Sequence, residues 1–161
     1  MSGRCFEDLT PGLVIPHALG RTITATDNTW FTLLTMNSNP IHFDAHYSAQ
    51  TEFGRPLVNS CLTLAIVTGL SVADVSRFAV NLGWDEVRMP APVFEGDTIY
   101  ARTEVLSARE SKTRSRQGIV QIRTTGFKQD GVIVLEYRRT ILVYKKGHAP
   151  ASPLPVPAVT P

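Results

Sequence analysis

The feature that most constrains the fold of this chain is a long uncharged run near its centre. Residues 61–71 contain no Asp, Glu, Lys or Arg, and the two residues directly before them, Asn59 and Ser60, are types that favour the N-cap of a helix. A helix with apolar or small polar side chains on every side is a buried helix, because it offers no polar face to water. A buried strand would be shorter than this run. We therefore expect one buried helix that the rest of the chain surrounds.

Three long segments with the composition of strands follow, at residues 98–107, 118–127 and 132–144. Residues 128–131 separate the last two segments and end in Asp-Gly, which supplies the positive φ angles of a tight hairpin turn. A weaker alternation at residues 84–89 adds a further candidate strand. Strands joined by hairpins form an antiparallel sheet. The predicted fold class is therefore α+β, with a curved antiparallel sheet wrapped around a central buried helix.

Size and composition indicate a single domain. The chain has 161 residues, of which 43% are hydrophobic and 19% are charged, and this mix is typical of one globular core. We expect the domain to cover residues 1–147 and the proline-rich residues 148–161 to form an extended or disordered tail. A sheet of this kind leaves an edge strand exposed. We therefore expect a homodimer, or a higher homo-oligomer of dimers, in which paired edges cover each other.

Charge and hydropathy argue against two classes of partner. The net charge is only +2 and no run of Lys or Arg is longer than a pair, so a nucleic acid is not expected. The basic cluster at residues 109–116 has two interpretations, a solvated hairpin loop or a surface that meets the phosphates of a nucleotide-like ligand. No apolar run is long enough to cross a bilayer and no signal pattern is recognisable. The expected location is therefore the cytoplasm, without membrane contact.

The cysteines and histidines predict neither a disulfide framework nor a metal site. Two cysteines alone indicate a reducing compartment, and Cys61, inside the apolar run, is expected to be a buried structural thiol. His42 and His46 are four residues apart, as two metal ligands on one helix would be, but Pro40 argues against a helix there. We therefore predict no metal.

A rigid loop carries the histidine that is best suited to catalysis. Asp27 is a candidate N-cap for a helix that ends near Asn37, because Pro40 prevents its continuation. This helix carries an apolar stripe at helical spacing, made of Trp30, Phe31, Leu33 and Leu34. His42 follows on a short irregular segment. A histidine held on a fixed loop is a candidate acid or base near neutral pH.

Three motifs resemble a known family. They are Asn-Pro-Ile-His-Phe-Asp at residues 39–44, Phe-Gly-Arg-Pro-Leu-Val-Asn-Ser at residues 53–60 and Pro-Val-Phe-Glu-Gly-Asp at residues 92–97. Together, and in this order, they resemble the MaoC-like (R)-specific enoyl-CoA hydratases and dehydratases. The resemblance implies the hotdog fold, an acyl-CoA substrate, no cofactor, and addition or removal of water across the double bond of a short enoyl-CoA thioester. More narrowly, residues 35–40 and 81–88 resemble single-domain members that act on branched dicarboxylic esters such as mesaconyl-CoA or itaconyl-CoA.

The resemblance also implies which residues are catalytic. His42 and the residue five positions before it would orient and activate a water molecule. That residue is Asp in the family and Asn37 here, and an amide cannot accept a proton as a carboxylate does. Ser60 stands where the family has Gly, and its backbone N–H would polarise the thioester carbonyl. Thr68 stands where the family often has a helix Ser, and we group it with the substrate-binding residues.

The chemistry of hydration suggests how these groups would cooperate. The reaction needs a base for water, an acid for Cα and hydrogen-bond donors for the enolate-like oxygen. Neutral His42 would take the proton from water and return it to Cα, while Asn37 would hold the water. Asp44 is either a backup carboxylate beside the substrate or a turn and cap residue.

Two arginines invite a second pair of interpretations. Arg55, just ahead of the predicted buried helix, would bind a second substrate carboxylate through a bidentate contact, or it would form a structural salt bridge. Arg88 has the same two interpretations. Asn59 is grouped with Arg55 among the substrate-binding residues.

Two alternatives remain on the same fold. An acyl-CoA thioesterase would usually place a carboxylate on the buried helix, and residues 61–71 have none. A non-catalytic acyl-CoA-binding dimer is motivated by Asn37 in place of Asp.

Overall fold

One antiparallel sheet organises the chain in the computed structural model, which describes residues 3–151. The strands are β1 (Val14–Pro16), β2 (Arg21–Thr22), β3 (Ala79–Arg88), β4 (Thr98–Glu110), β5 (Gln117–Lys128) and β6 (Ile133–Tyr144). The α-helices are α1 (Ala25–Leu34), α2 (Ala45–Ser48) and α3 (Ser60–Leu70). The strand order is β1-β4-β5-β6-β3, β2 also pairs with β4, and every pair is antiparallel.

The three long predicted strands are confirmed as β4, β5 and β6, with only their ends moved. The predicted hairpin turn joins β5 to β6: Gly131 has φ 84°, and its N–H donates to the Lys128 carbonyl over 2.9 Å. The weak alternation at residues 84–89 belongs to β3, which starts earlier, at Ala79. The basic cluster forms the end of β4 and the loop that leads into β5.

The inner face of the sheet packs against α3. A Cβ atom at Gly126 would lie 2.5 Å from Cγ2 of Val67, so only glycine lets the helix approach the sheet this closely. The buried apolar residues at this contact form one core cluster, which contains Ile23, Val58, Leu62, Val67, Val93, Ile99, Ala101, Val134, Leu135 and Tyr137. The predicted helix, with Asn59 as its N-cap, is therefore present and central.

The expectation that α3 is buried on every side is wrong for a single chain. The sheet covers one face of the helix, while four small residues on the other face are exposed: Ser60, Cys61, Ala65 and Gly69. The Cys61 thiol is therefore exposed rather than buried. The uncharged sequence reflects a helix that has no charged face, and it does not show how much of that helix one sheet can cover.

The outward face of α1 is also apolar. Trp30 is 75% exposed and Leu34 is 84% exposed, whereas the residues that the helix buries are Asn28 and Thr32. The helix thus turns polar side chains inward and most of its apolar stripe outward. The physical reason is that Asn28 and Thr32 have polar partners in the interior, which are described with the site below.

The ends of α1 differ from the sequence prediction. Thr24, and not Asp27, is the N-cap. Asp27 closes the capping box, because its carboxylate accepts the Thr24 N–H over 2.8 Å. The helix ends at Leu34, three residues before Asn37.

β3 is an edge strand of the sheet, and among residues 3–151 it pairs with β6 alone. It exposes several large apolar side chains, namely Val80, Leu82, Trp84 and Val87. Residues 152–161, which make up most of the predicted tail, lie outside the described residues. None of the helices in residues 3–151 has the length and apolar character that a membrane span requires.

Candidate functional site

His42 is buried, at 7% exposure, and one of its ring nitrogens is already bonded. It ends a 3₁₀ turn that Pro40 begins and that the Asn39 side chain caps by accepting the Ile41 N–H. Nδ1 of His42 lies 2.8 Å from the Leu57 carbonyl oxygen, which can only accept, so Nδ1 carries the proton. In the neutral ring Nε2 then has a free lone pair. Nε2 has no hydrogen-bond partner among residues 3–151, and it is therefore the atom available to a substrate or a water.

Asn28 fastens the histidine loop to the start of α3. Its Nδ2 donates to the His42 carbonyl over 2.8 Å and to the Leu57 carbonyl over 3.2 Å. Its Oδ1 accepts the Asn59 N–H over 2.9 Å. Nδ2 also lies 3.5 Å from Oε1 of Glu95, in the third motif. One fully buried amide thus connects all three motifs, although it belongs to none of them in the sequence.

Asn59 and Ser60 form the amino end of α3. The Asn59 side chain accepts the Cys61 N–H over 2.9 Å and donates to Oγ1 of Thr32 over 3.2 Å. Asn59 was predicted to bind substrate, but both of its polar side-chain atoms are engaged in this cap. Ser60, the first residue of the helix, has an N–H without an acceptor in the described part of the chain. That N–H is one of the unpaired donors at a helix amino end, where the helix dipole favours negative charge.

An apolar cavity of about 260 Å³ opens at this helix end. Its walls come from residues 53–63, from the residues after β3 and from β6; they are Phe53, Leu57, Val58, Ser60, Thr63, Met89, Pro90, Ala91, Pro92, Val93 and Val134. Ser60 and Thr63 are the polar residues of this lining. Leu57 connects the cavity to His42, because its side chain lines the wall and its carbonyl holds the ring. The space suits a small, mostly apolar group next to a backbone donor.

Asn37 lies three residues beyond the end of α1, in a local turn. Met36, with φ 57°, takes the left-handed position, and the Asn37 N–H donates to the Thr32 carbonyl over 2.9 Å, as in a Schellman motif. Oδ1 of Asn37 accepts the Asn39 N–H over 3.0 Å. The amide Nδ2 remains without a partner within the described ranges. Asn37 therefore presents mainly a hydrogen-bond donor, and its side chain cannot act as a base.

Two predicted residues do not join this site. Thr68 bonds to the Tyr137 hydroxyl over 3.1 Å, and it lies about 12 Å along the helix from Ser60 at 1.5 Å per residue. Asp44 is exposed and caps α2, where its carboxylate accepts the Tyr47 N–H over 2.9 Å. The turn and cap interpretation of Asp44 therefore describes what its side chain does in this structure.

The two arginines differ from each other. The guanidinium carbon of Arg55 lies 4.0 Å from the centre of the Phe94 ring, and the Phe94 ring packs against Phe53 in the cavity wall. The salt bridge considered for Arg55 is absent from the described part of the structure. Arg88, the last residue of β3, pairs in register with Glu136 of β6, and it is not among the residues that line the cavity.

The pair of histidines considered for a metal is split. His42 is buried before the break at Asp44, and His46 is exposed on α2. No group of three or more His, Cys, Asp or Glu side chains in residues 3–151 is placed to hold a metal ion.

A second buried polar cluster lies at the other end of α3. Nδ1 of His17 lies 2.8 Å from the Asp74 carboxylate, and its Nε2 lies 2.9 Å from Oγ1 of Thr103. Burial lowers the pKa of His17 below its usual value, although the Asp74 carboxylate acts in the opposite direction. Nearby, Arg139 is 1% exposed and donates to Oγ of Ser71 and of Ser76, each over 3.0 Å. Burial lowers the pKa of this guanidinium as well.

Comparison with known proteins identifies the family. Residues 9–127 match the MaoC like domain family. The chain belongs to this MaoC-like family. It is 33% identical to mesaconyl-CoA hydratase from Cereibacter sphaeroides over 155 residues, which is 96% of this chain and 45% of that protein. It is 30% identical to (R)-specific enoyl-CoA hydratase from Aeromonas caviae, over 73% of this chain and 84% of that protein.

A solved structure confirms the predicted hotdog fold. A Mycobacterium tuberculosis protein with a double hotdog fold aligns with a TM-score of 0.80 at 23% identity, over 99% of this chain and 53% of that one. This chain therefore matches only about half of the length of the Mycobacterium tuberculosis protein, and the same is true of mesaconyl-CoA hydratase. The family and the fold are therefore established, and the predicted resemblance is confirmed.

Proposed function

We propose that this MaoC-like chain is a hydratase or dehydratase that acts on the double bond of a short enoyl-CoA thioester. The proposed substrates include branched dicarboxylic esters such as mesaconyl-CoA or itaconyl-CoA, in keeping with the names of its relatives. The observation that carries the proposal is the state of His42, a buried imidazole with Nδ1 donating to Leu57 and Nε2 unoccupied. The loop that holds it is fastened by Asn28 to the helix end where Ser60 borders an apolar cavity.

The proposed reaction divides the work between two atoms of the chain. Nε2 of His42 takes a proton from water while the water oxygen forms a bond to Cβ of the enoyl group. The electron pair of the double bond moves into the thioester carbonyl, whose oxygen becomes negative and accepts the Ser60 N–H. The protonated ring then returns its proton to Cα, and the carbonyl re-forms. The Leu57 carbonyl keeps Nδ1 protonated throughout, so that the ring can exchange a proton only at Nε2.

Asn37 would replace the family Asp as a holder of the water, not as a base. Its free Nδ2 can donate to the water oxygen, which leaves a water proton directed towards His42. General-base work would then rest on the imidazole alone.

We further propose that a second hotdog unit covers the exposed surfaces of this chain. The apolar edge strand β3 and the bare face of α3 are exposed in the single chain. A homodimer or a larger assembly of dimers would pair the β3 edges and bury Trp84 and its neighbours. Cytoplasmic location stays a prediction of the sequence.

The backbone N–H of Ser60 offers a sharp test. Ser60 is the first residue of α3, where proline is tolerated, and Asn59 has the extended ψ of 128° that suits a residue before proline. Ser60→Pro should therefore keep the helix and lose only the donor. We expect kcat for hydration of crotonyl-CoA or mesaconyl-CoA to fall by about 10²- to 10³-fold. Ser60→Ala, which keeps the N–H, is the matched control and should stay within a few fold of the wild type.

The assay follows the loss of the enoyl-thioester absorbance and includes circular dichroism of both variants. Equal rates for Ser60→Pro and Ser60→Ala would remove the oxyanion role. Absence of hydration with crotonyl-, mesaconyl- and itaconyl-CoA would remove the whole proposal.

A second candidate, binding without turnover, is favoured by the state of Asn37. Its Oδ1 is occupied by the Asn39 N–H, and the chain has no carboxylate at this position, where the family has Asp. Calorimetry that shows binding of crotonyl-CoA to the wild type, with no loss of absorbance over hours, would support this alternative.

A further inference from the structure

Arg55 is one of several exposed arginines, and it is set apart by its place against an aromatic ring beside the cavity. Arg21, Arg123 and Arg138 each have a carboxylate partner, in Asp27, Glu104 and Glu86 respectively. Arg55 is exposed, yet none of the acidic side chains in residues 3–151 lies within salt-bridge distance of it. Its contact is with the face of Phe94, 4.0 Å from the ring centre.

This stacking fixes the guanidinium without using its hydrogen-bond donors. A guanidinium that packs flat on an aromatic ring directs its N–H groups outward from the edge of its plane. Two parallel N–H groups on such an edge match the two oxygens of a carboxylate, and they also match a phosphate. A fixed side chain loses less conformational entropy on binding than a free one. Arg55 is therefore prepared for an anion that the chain itself does not provide.

The position of this group connects it to the cavity. Phe94 packs against Phe53 at a centroid distance of 6.3 Å, and Phe53 lines the cavity together with Ser60. Leu57, two residues after Arg55, pairs with Phe94 in a β-bridge and also holds His42 through its carbonyl. Residues 53–60 thus carry the Arg55 guanidinium and the Ser60 N–H. Through the Leu57 carbonyl they also hold the imidazole of His42.

We infer that Arg55, stacked on Phe94, is a specificity residue that binds an anionic group of the substrate beside the cavity. This inference rests on the proposed function for the location of the thioester. It assigns the anion to the free carboxylate of a dicarboxylic acyl group, because the cavity lining itself contains no cation and Arg55 lies beside it, on the ring that packs against Phe53. A phosphate of the coenzyme would offer the same oxygen chemistry, and the experiment below separates the two sources.

The test uses saturated thioesters, which bind but cannot be hydrated. Succinyl-CoA and butyryl-CoA have acyl chains of equal length and differ in one carboxylate. Calorimetry should show that the wild type binds succinyl-CoA about tenfold more tightly than butyryl-CoA, as expected for a charge-assisted pair at a partly exposed site. Arg55→Gln should abolish this difference and leave the affinity for butyryl-CoA unchanged.

Arg77→Gln is the matched control. Arg77 is also exposed and lies over an aromatic ring, that of Phe78, at 5.9 Å, but outside the cavity lining. This variant loses the same charge and a similar stack, and it should keep the preference for succinyl-CoA. Phe94→Leu should weaken the preference without removing it, because the guanidinium is still present but no longer fixed.

Each other outcome has a clear meaning. If Arg55→Gln weakens binding of succinyl-CoA and butyryl-CoA equally, and has no effect on the corresponding pantetheine thioesters, the anion is a coenzyme phosphate and the assignment to the acyl group is overturned. If the wild type shows no preference, the inference fails even when crotonyl-CoA is hydrated. If neither thioester binds, the proposed function fails together with it.

Discussion

His42 and His17 are almost equally buried, at 7% and 6% exposure, but the protein uses them differently. His17 has a partner on each ring nitrogen, the Asp74 carboxylate and the Thr103 hydroxyl. His42 has a partner on Nδ1 only. A buried histidine with both nitrogens bonded is a fixed structural group, whereas one with a single bond has a defined tautomer and a free lone pair. Burial alone does not distinguish the two histidines, but the number of hydrogen-bonded ring nitrogens does.

The largest expected effect comes from replacing each histidine by asparagine, in two separate variants. His42→Asn retains an amide N–H that can donate to the Leu57 carbonyl, and it removes Nε2. We expect kcat for enoyl-CoA hydration to fall by about 10²- to 10⁴-fold, the usual contribution of a general acid–base group. His17→Asn should leave kcat within a few fold and instead lower the free energy of unfolding by about 1–3 kcal/mol. Steady-state kinetics and urea unfolding of both variants give the comparison, and equal losses of kcat would end it.

The next largest effect is expected from replacing the residues that hold the rings of His42 and His17 in place. Asn28→Leu leaves the Asn59 N–H and the His42 carbonyl without this partner in the interior. We expect the free energy of unfolding to fall by about 3 kcal/mol, with a loss of hydration activity, because the loop is no longer fastened to α3.

Thr103→Val is the counterpart at the other histidine. It removes the partner of His17 Nε2 at nearly constant shape, and it should lower the free energy of unfolding by about 1 kcal/mol without a loss of activity. Both variants are measured by urea unfolding and by kinetics on the folded protein. An Asn28→Leu protein with wild-type activity would show that the position of His42 does not depend on this amide.

Much of this arrangement could be predicted from the sequence, and the rest depends on distant contacts. The uncharged run and the Asp-Gly turn specify α3 and the β5–β6 hairpin locally. The role of Asn28 could not be found in this way, since its partners lie 14, 31 and 67 residues away. The sequence signal for this role is weak: Asn28 and Thr32 are polar residues four positions apart, and they therefore share one face of α1.

The same contacts explain why the apolar stripe of α1 does not face the core of the single chain. A helix normally turns its apolar stripe towards the core. Here the carbonyls and N–H groups of the neighbouring loop need polar partners, so Asn28 and Thr32 lie inside and Trp30 lies outside. Cys61 was misplaced for a related reason, because a sequence without charges does not reveal which face of α3 a single chain leaves open.

A smaller effect is expected on the substrate side of His42. Asn37→Asp keeps an oxygen that can accept the Asn39 N–H and adds a second carboxylate oxygen where Nδ2 stood. A carboxylate can orient water as an acceptor and assist as a base, so we expect crotonyl-CoA hydration to rise about tenfold. Asn39→Asp is the control, since it adds the same charge in the same turn. An equal rise in both variants would indicate a general charge effect, and no rise in either would place Asn37 away from the water.

The smallest effect distinguishes the histidines by pH. The pKa of His17 is lowered in the folded state, so the unfolded chain binds more protons in the pH range between that pKa and the ordinary histidine value of 6.5. The free energy of unfolding should therefore begin to fall as the pH drops towards 6.5 and continue to fall down to the folded pKa, below which His17 causes no further decrease. In His17→Asn the decrease over the same range should be smaller, as measured by urea unfolding at each pH. If acidification instead stabilised the wild type relative to His17→Asn, the Asp74 carboxylate would outweigh burial at this ring. His17 would then be a charged partner of Asp74 and no longer the neutral, doubly bonded counterpart of His42.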